Sequence, residues 1–234
     1  MSDSDHAPRR RASEEVYDRL RALVVENRIA PGERINIDAV ARDLGVSQTP
    51  VREAVRQLEG DKLIVKVPGK GYQTTPLLDL DGLRNLFEFR LLVDVWAARS
   101  VAVNRLANPS PELRAELDRF AGLLTGAADV PRELVNHDTR FHGLILAALG
   151  NDVVREAYEQ THAHLHTFRL YAADIDGSVT LAEHTRIWEA IDACDADAAE
   201  AAMRRHLTKA YARFAQVFDT PAPELREPGT TRMF

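Results

Sequence analysis

The feature that most restricts the fold is the stretch from Asn36 to Pro76. It begins with two short helical patterns, "NIDAVARDLG" and "VSQTPVREAVRQLEGD", and the first of them ends at Gly45. Two short helices joined by a turn that contains glycine are typical of a helix-turn-helix. Next comes "KLIVKVPGKGYQTTPL", in which branched and aromatic residues flank the turn "PGKG", so a β-hairpin is expected. Together with a preceding helix over residues 13–27, these elements predict a winged helix.

Terminal signals support the outer two of these three helices. The first starts with Ser13 and early glutamates and has apolar residues at positions 16, 20, 23 and 24, which predicts a capped amphipathic helix. In the third helix Ser47 is the predicted N-cap. Pro50 falls within its first turn, where the missing N–H of proline costs little.

From Pro76 to about Phe218 the pattern is helical throughout. The breaks "ANPSP", "TGAAD", "LGND" and "DIDGS" help to divide it into helices. The predicted helices cover residues 79–106, 110–126, 130–149, 151–172, 178–193 and 195–218. The expected fold class is therefore mainly α, with an N-terminal winged helix-turn-helix and a C-terminal all-α antiparallel helical bundle.

Four segments follow from these patterns. The 234 residues allow one large or two modest domains, and both ends of the chain are polar or rich in proline. We expect a disordered N-terminal arm over residues 1–12, a winged-helix domain over 13–76, a helical domain over 77–218 and a flexible tail over 219–234.

Charge is distributed unevenly along the chain. The net charge is −6, but residues 1–76 have 13 basic against 12 acidic side chains, and the rest has 17 against 24. The net charge of the N-terminal part is therefore slightly positive although the whole chain is acidic, which is a hint of a nucleic-acid partner. The single Cys194 excludes an internal disulfide. No run reaches the roughly 18 apolar residues of a membrane span, and the N-terminus lacks the apolar stretch of a signal peptide. A cytoplasmic protein without a membrane partner is expected.

The third helix has a packing side and a polar side. Val51, Val55 and Leu58 form an apolar stripe. The residues predicted to contact DNA are Gln48, Thr49, Arg52 and Arg56 on the other side, with Gly69 and Lys70 in the hairpin turn. A helix with its N-terminal half in the major groove could place an arginine fork against O6 and N7 of guanine. The alternative is an ordinary solvated helix face.

A possible metal site begins in "HDTRFH". Asp138 and His142 are four residues apart and share one helical face. His184 and His206 are 22 residues apart, and a helix pair folded about Asp195 would place them at the same height. Three imidazole nitrogens and one carboxylate oxygen can thus converge from three helices. These donors suit a divalent metal such as zinc or nickel.

Three other histidines and one glutamate lie near the candidate ligands in the sequence but are not expected to bind the metal. His162 and His166, in "THAHLH", share a helical face, but we expect them at the surface or at a pocket rim. His137 points about 100° away from Asp138 on the helix and is not an expected ligand. Glu183 precedes His184 and is expected to point away from it.

Two family resemblances follow from these motifs. "VSQTPVREAVRQLEGDKLI" followed by "PGKG" resembles the winged-helix signature of the GntR family of bacterial transcription regulators over about residues 13–76. "D-x-x-x-H", "EH" and "HL" resemble the metal-binding pattern of the FCD domain, the all-helical effector and dimerisation domain of the FadR branch, over about residues 80–218. Gln48 stands where the family usually carries arginine, and Asp38 stands at a second-helix position where some members carry a DNA-contacting arginine. Those departures concern the operator sequence rather than DNA binding itself.

The resemblance implies a set of roles. Asp138, His142, His184 and His206 would be the metal ligands. Arg90 matches an arginine common near the start of FCD domains, and Arg169 is a second candidate to bind an effector. The implied protein is a homodimeric regulator, commonly a repressor, that reads a pseudo-palindromic operator and responds to a small organic acid.

The sequence also allows two other functions. The same Asp and His side chains could activate water in a metal-dependent hydrolase. However, no separate general base or nucleophile accompanies them, and a DNA-reading domain favours sensing over turnover, so no enzyme is expected. The metal could also be purely structural.

Overall fold

The computed structural model describes residues 6–126, 129–170 and 176–226, with side chains from residue 13 onward. The chain divides into two compact units, Met1–Leu77 and Leu78–Phe234. Within the described residues, no helix has the length and apolar character needed to cross a bilayer.

The N-terminal unit is a winged helix-turn-helix, as predicted. Its elements are α1 (His6–Val25), β1 (Arg34–Ile35), α2 (Ile37–Leu44), α3 (Gln48–Gly60), β2 (Ile64–Val67) and β3 (Gly71–Thr74). The strands form an antiparallel sheet in the order β1-β3-β2. The short strand β1 was not expected, because two residues are too few to show an alternating pattern in the sequence.

Local signals explain where the helices of this unit begin and end. The Asn36 side chain accepts hydrogen bonds from the backbone N–H groups of Asp38 and Ala39 and so caps α2. Gly45 ends α2 in the left-handed region, at φ +67°. Ser47 occupies the N-cap position of α3, although its side chain makes no capping hydrogen bond.

The first helix is longer than the sequence indicated. It begins at His6 and not at Ser13, so residues 6–12 of the predicted N-terminal arm are helical. Residues 1–5 of that arm lie outside the described residues. From Ser13 onward, Val16, Leu20 and Val24 are buried. The Tyr17 hydroxyl donates a hydrogen bond to Asp61 at 2.6 Å, which fastens α1 to the C-terminal end of α3.

The C-terminal unit is an all-α bundle. Its helices are α4 (Leu80–Val103), α5 (Ser110–Leu124), α6 (Val130–Ala148), α7 (Asp152–Glu159), α8 (Ala163–Leu170), α9 (Ser178–Asp192) and α10 (Ala196–Ala215). Helices α4 and α10 pack most extensively against each other, and α5, α6 and α9 complete the core. The Asp195 side chain caps α10 by accepting from the Ala198 N–H, so α9 and α10 form a tight hairpin.

The prediction of a single helix over residues 151–172 is wrong, because two helices occupy this segment. The chain breaks between α7 and α8, where His162 adopts φ +48°. Tyr158 before the break and His164 after it are both buried. Residues 171–172 of the predicted helix, and residues 227–234 of the predicted tail, lie outside the described part of the chain.

Candidate metal centre and DNA-binding surface

Four predicted ligands meet inside the C-terminal unit. Asp138 and His142 come from α6, His184 from α9 and His206 from α10. All four are buried, and their ligand atoms lie within 4.8 Å of one another. The spacing of four residues on α6 and the level positions on the α9–α10 hairpin bring these side chains together, as the sequence suggested.

The distances suit a small divalent ion. The Nε2 atoms of His184 and His206 are 3.4 Å apart. Oδ1 of Asp138 is 3.4 Å from His184 Nε2 and 3.8 Å from His142 Nε2. Tetrahedral ligands at the usual zinc distances would lie about 3.3–3.4 Å apart. The pairs that include His184 match this spacing, and all four ligand atoms lie within 4.8 Å of one another, so the donor set can close around zinc or a similar ion if His142 Nε2 turns from Arg90 to the metal.

The His206 imidazole is held from behind by a carboxylate. Its Nδ1 atom lies 2.9 Å from Oε2 of Glu183, so a neutral His206 donates from Nδ1 and presents Nε2 to the centre. Arg213 binds both oxygens of Glu183 at 2.9 Å. Glu183, expected to point away, is therefore buried and orients a ligand. Such outer partners fix the ring and tautomer of metal-binding histidines.

The His142 imidazole has a longer contact of the same kind. Its Nδ1 atom is 3.4 Å from Oδ2 of Asp94 but is not aligned for a hydrogen bond. Asp94 is held by Arg90 Nε at 3.1 Å and by the Tyr158 hydroxyl at 2.9 Å. Although burial alone would raise the pKa of Asp94, His142 and Arg90 lower it to about 2. Asp94 is thus an ionised acceptor behind the ligand.

Two further histidines, both absent from the predicted ligand set, touch the ligands. His164 Nδ1 contacts Oδ2 of Asp138, which leaves Oδ1 of that carboxylate directed at His142 and His184. His137 Nε2 lies 2.9 Å from His184 Nδ1. From the sequence we considered His162 and His166 of "THAHLH", whereas it is His164, between them, that contacts a candidate ligand.

Burial and the neighbouring groups set the protonation of His142, His184 and Asp138. Burial lowers the pKa of His142 to about 4 and that of His184 well below its ordinary value. Burial would raise the pKa of Asp138, but the surrounding imidazoles, His164 first, lower it well below its usual range. Neutral imidazoles and an ionised carboxylate are the forms that bind a metal.

Arg90, the first effector candidate, lies beside the centre. It is buried, and its Nη2 atom lies 3.1 Å from His142 Nε2 and 4.0 Å from Asp138 Oδ2. Next to it is a cavity of about 20 Å³, room for a single water. The cavity is lined by Arg90, Asp138, Thr167, Phe168, Thr180, His206, Ala210, Arg213 and Phe214. Arg169, the other effector candidate, is buried on α8 but is not among these residues.

The predicted DNA-binding residues of the N-terminal unit are all accessible. Val51, Val55 and Leu58 of α3 are fully buried. The exposed residues are Gln48, Thr49, Arg52 and Arg56 on α3 and Gly69 and Lys70 in the hairpin turn. Arg52 Nη2 donates to Gln48 Oε1 at 3.0 Å, which holds the guanidinium near the first turn of the helix. Gly69 adopts φ +73°, a conformation that glycine allows without strain.

A winged helix with an exposed arginine face, joined to a helical unit that buries an Asp/His centre, defines a DNA-binding transcription regulator. The model of the FCD domain matches residues 85–209, and that of bacterial regulatory proteins of the gntR family matches residues 12–73. The chain therefore belongs to the GntR family of bacterial transcription regulators, with an FCD effector domain. The relatives and solved structures that match this chain are named as transcription regulators and not as enzymes, as expected.

Known proteins of similar length support this assignment. The chain is 26% identical to the regulator YdhC of Bacillus subtilis over 81% of its own length and 85% of that protein. An Escherichia coli K12 protein, named as an inferred regulatory protein of the L-lactate dehydrogenase operon, is 27% identical over 85% of this chain and 84% of its own. The structure of E. coli McbR/YncC shares the fold, with a TM-score of 0.68 at 20% identity, and the match covers 88% of this chain and 97% of that one.

Proposed function

We propose that this regulator is a homodimeric repressor whose operator affinity is controlled by a small organic acid bound at a divalent metal in the FCD domain. The observation that carries the proposal is the buried set of four donors within 4.8 Å of one another, with Arg90 beside it. Zinc and nickel suit these donors. The B. subtilis and E. coli relatives have regulator names, and a Paenarthrobacter nicotinovorans relative, 25% identical, is named as an inferred transcriptional repressor of a D-xylose utilization operon.

An anionic effector suits the charges around the centre. A bound divalent ion would supply positive charge and open coordination positions for a carboxylate or hydroxyl oxygen. Arg90 could pair with a second carboxylate through its guanidinium. Because one relative is named for an L-lactate dehydrogenase operon, 2-hydroxy acids are the first class to test.

The small cavity gives the acid a way to act at a distance. At about 20 Å³ it has room for one water, so an organic acid would have to enlarge it by moving lining side chains, which include Phe168 on α8 and Phe214 on α10. The acid-bound and acid-free arrangements would then differ in helix packing. A ligand shifts operator affinity only if it binds one such arrangement better than the other.

Elemental analysis beside native mass spectrometry tests this function first. We expect about one divalent ion per chain, bound by the centre, and an operator affinity that responds to the acid only in the metal-loaded protein. Retained response after complete metal removal would contradict the proposal. Unfolding on metal removal, without any response beforehand, would indicate a structural metal, and acid turnover would favour the enzyme alternative.

A stripe on α4 supports the homodimer. Leu92, Trp96 and Val103 are 54%, 47% and 64% exposed, and their intervals of four and seven residues place them on one side of the helix. Arg99 lies within the stripe, and its guanidinium binds Asp197 and Glu200 of α10. A two-fold axis would bring two copies of this mainly apolar surface together. We therefore place the dimer contact on this stripe.

Charging the stripe should separate the copies. Leu92→Glu and Trp96→Glu would each bury a carboxylate in the contact, which should weaken dimerisation by at least about 100-fold. Sedimentation velocity over a range of concentrations measures this. Val179→Glu, at an equally accessible valine in the first turn of α9, is the matched control and should remain dimeric. Dimers that persist in both stripe variants would refute this placement, whereas a monomeric wild type would refute the homodimer itself.

Operator binding should depend steeply on salt. Each phosphate contact releases counterions, so six to ten contacts would reduce affinity by roughly 10³–10⁵ between 50 and 200 mM salt. Fluorescence anisotropy with operator and scrambled duplexes would measure both slopes. A flat salt profile would contradict phosphate contacts by the α3 and hairpin residues.

A further inference from the structure

A line of hydrogen bonds runs from the candidate metal centre through His137 to helix α5. His184 Nδ1 lies 2.9 Å from His137 Nε2, and His137 Nδ1 lies 2.9 Å from Glu116 Oε1. Both histidines are fully buried, and Glu116 is nearly so. Each ring nitrogen of His137 therefore has one defined polar partner inside the core.

Only one assignment of protons fits these contacts with neutral rings. The Glu116 carboxylate can only accept, so His137 donates from Nδ1 and accepts at Nε2. The donor to that Nε2 is then Nδ1 of His184. As a result, the lone pair of His184 lies on Nε2, the atom that is 3.4 Å from both Asp138 Oδ1 and His206 Nε2.

Aromatic stacking holds both rings in the required planes. His137 stacks on Phe120, with ring centroids 4.1 Å apart and an interplanar angle of 5°. His184 stacks on Phe141 at 4.0 Å and 10°. The far end is also anchored, because Arg119 binds Glu116 and also reaches Glu133. The orientation of His184 is thus set by α5 as well as by its own helix.

We propose that His137 and Glu116 are positioning residues for the metal centre, because they hold His184 in the tautomer and orientation that present Nε2 as a ligand. The proposal rests on the metal site proposed above. Hydrogen-bonded partners behind a metal-binding histidine are typically worth about 10–100-fold in metal affinity. A histidine that only filled space between Phe120 and Phe141 would contribute to stability and leave metal affinity unchanged.

Cobalt(II) binding to the full-length protein tests this role. We expect His137→Leu, which removes the acceptor for His184, to bind cobalt about 10–100-fold more weakly and with an altered visible spectrum. His137→Gln offers an amide oxygen to His184 and should recover much of the affinity. Asp118→Asn, at an exposed carboxylate of α5 that pairs with Arg114 and lies outside this line, is the control and should match the wild type. Competition with a chelator gives the affinities.

The outcomes separate this proposal from the metal site itself. Unchanged cobalt affinity and spectrum in His137→Leu, with a lower melting temperature of the metal-free form, would overturn the positioning role and leave the site intact. Failure of the wild type to bind cobalt or zinc would overturn both. If His137→Leu does not fold, Glu116→Gln decides, because it keeps the side-chain shape but weakens the acceptor for His137. An affinity equal to that of the wild type in that variant would refute the proposal.

Discussion

Replacing His206 with alanine is expected to leave the purified protein without its divalent metal. The substitution removes one of four donors, and it also leaves Glu183 without the imidazole it orients. Because outer partners alone are worth about 10–100-fold, loss of a direct ligand should reduce affinity by more than 100-fold. Elemental analysis after dialysis should therefore find metal in the wild type and almost none in His206→Ala.

His166→Ala is the matched control for this experiment. His166 lies on α8 and outside the four-donor cluster, so this variant should retain its metal. Full metal occupancy in His206→Ala, with His166→Ala also fully loaded, would exclude the proposed ligand set. Loss of metal from both variants would indicate that the bundle, and not the particular ligand, governs retention.

The bound metal should also stabilise the folded state. A metal ion present at about 1,000 times its Kd stabilises a protein by about 4 kcal/mol. For a chain of this size each kcal/mol corresponds to roughly 2–4 °C, so metal-free protein should melt roughly 8–16 °C lower. His206→Ala should melt near the metal-free wild type and respond little to added zinc.

The candidate ligands could be predicted from their spacing in the sequence. Asp138 and His142 are four residues apart on one helix, so they share a face of that helix however it packs in the fold. His184 and His206 need only one further assumption, a turn at Asp195, which the sequence marks by a capping residue. Both relations depend on local structure, which periodicity and capping describe well.

The partners behind the ligands could not be predicted in the same way. Glu116 precedes His137 by 21 residues and reaches it only because α5 packs against α6. Asp94 reaches His142 through the packing of α4 on α6. Glu183 was adjacent to a ligand in sequence, but its partner His206 lies on another helix. Only tertiary packing decides which carboxylate meets which imidazole.

The break between α7 and α8 has a similar cause. "THAHLH" contains neither glycine nor proline, so no local signal ends the helix. In a continuous helix Tyr158 and His164 would point about 120° apart, since successive residues turn by about 100°. The break allows the Tyr158 hydroxyl to bind Asp94 and lie 3.4 Å from His164, which contacts Asp138. Contacts with the buried centre favour the break at His162, in spite of its positive φ.

Replacing Arg52 with alanine is expected to abolish specific operator binding while leaving the fold intact. Arg52 is exposed on α3, away from the buried Val51 and Val55, so its loss should not disturb the core. Its guanidinium is held by Gln48 in the first turn, where a fork can meet O6 and N7 of a guanine. Losing such a pair costs about 1–3 kcal/mol per half-site, roughly 5–150-fold, and a two-fold dimer loses it twice.

Two companions show whether the fork or the charge matters. Arg52→Lys keeps the charge but cannot make the bidentate contact, so it should bind scrambled DNA like the wild type and the operator nearly as weakly as Arg52→Ala. Arg114→Ala removes the same charge from an exposed site on α5 and should bind both duplexes normally. Anisotropy titrations at fixed salt distinguish these cases. Operator affinity unchanged in Arg52→Ala would mean that another surface reads the DNA, because α3 cannot act as the recognition helix without contacts from this position.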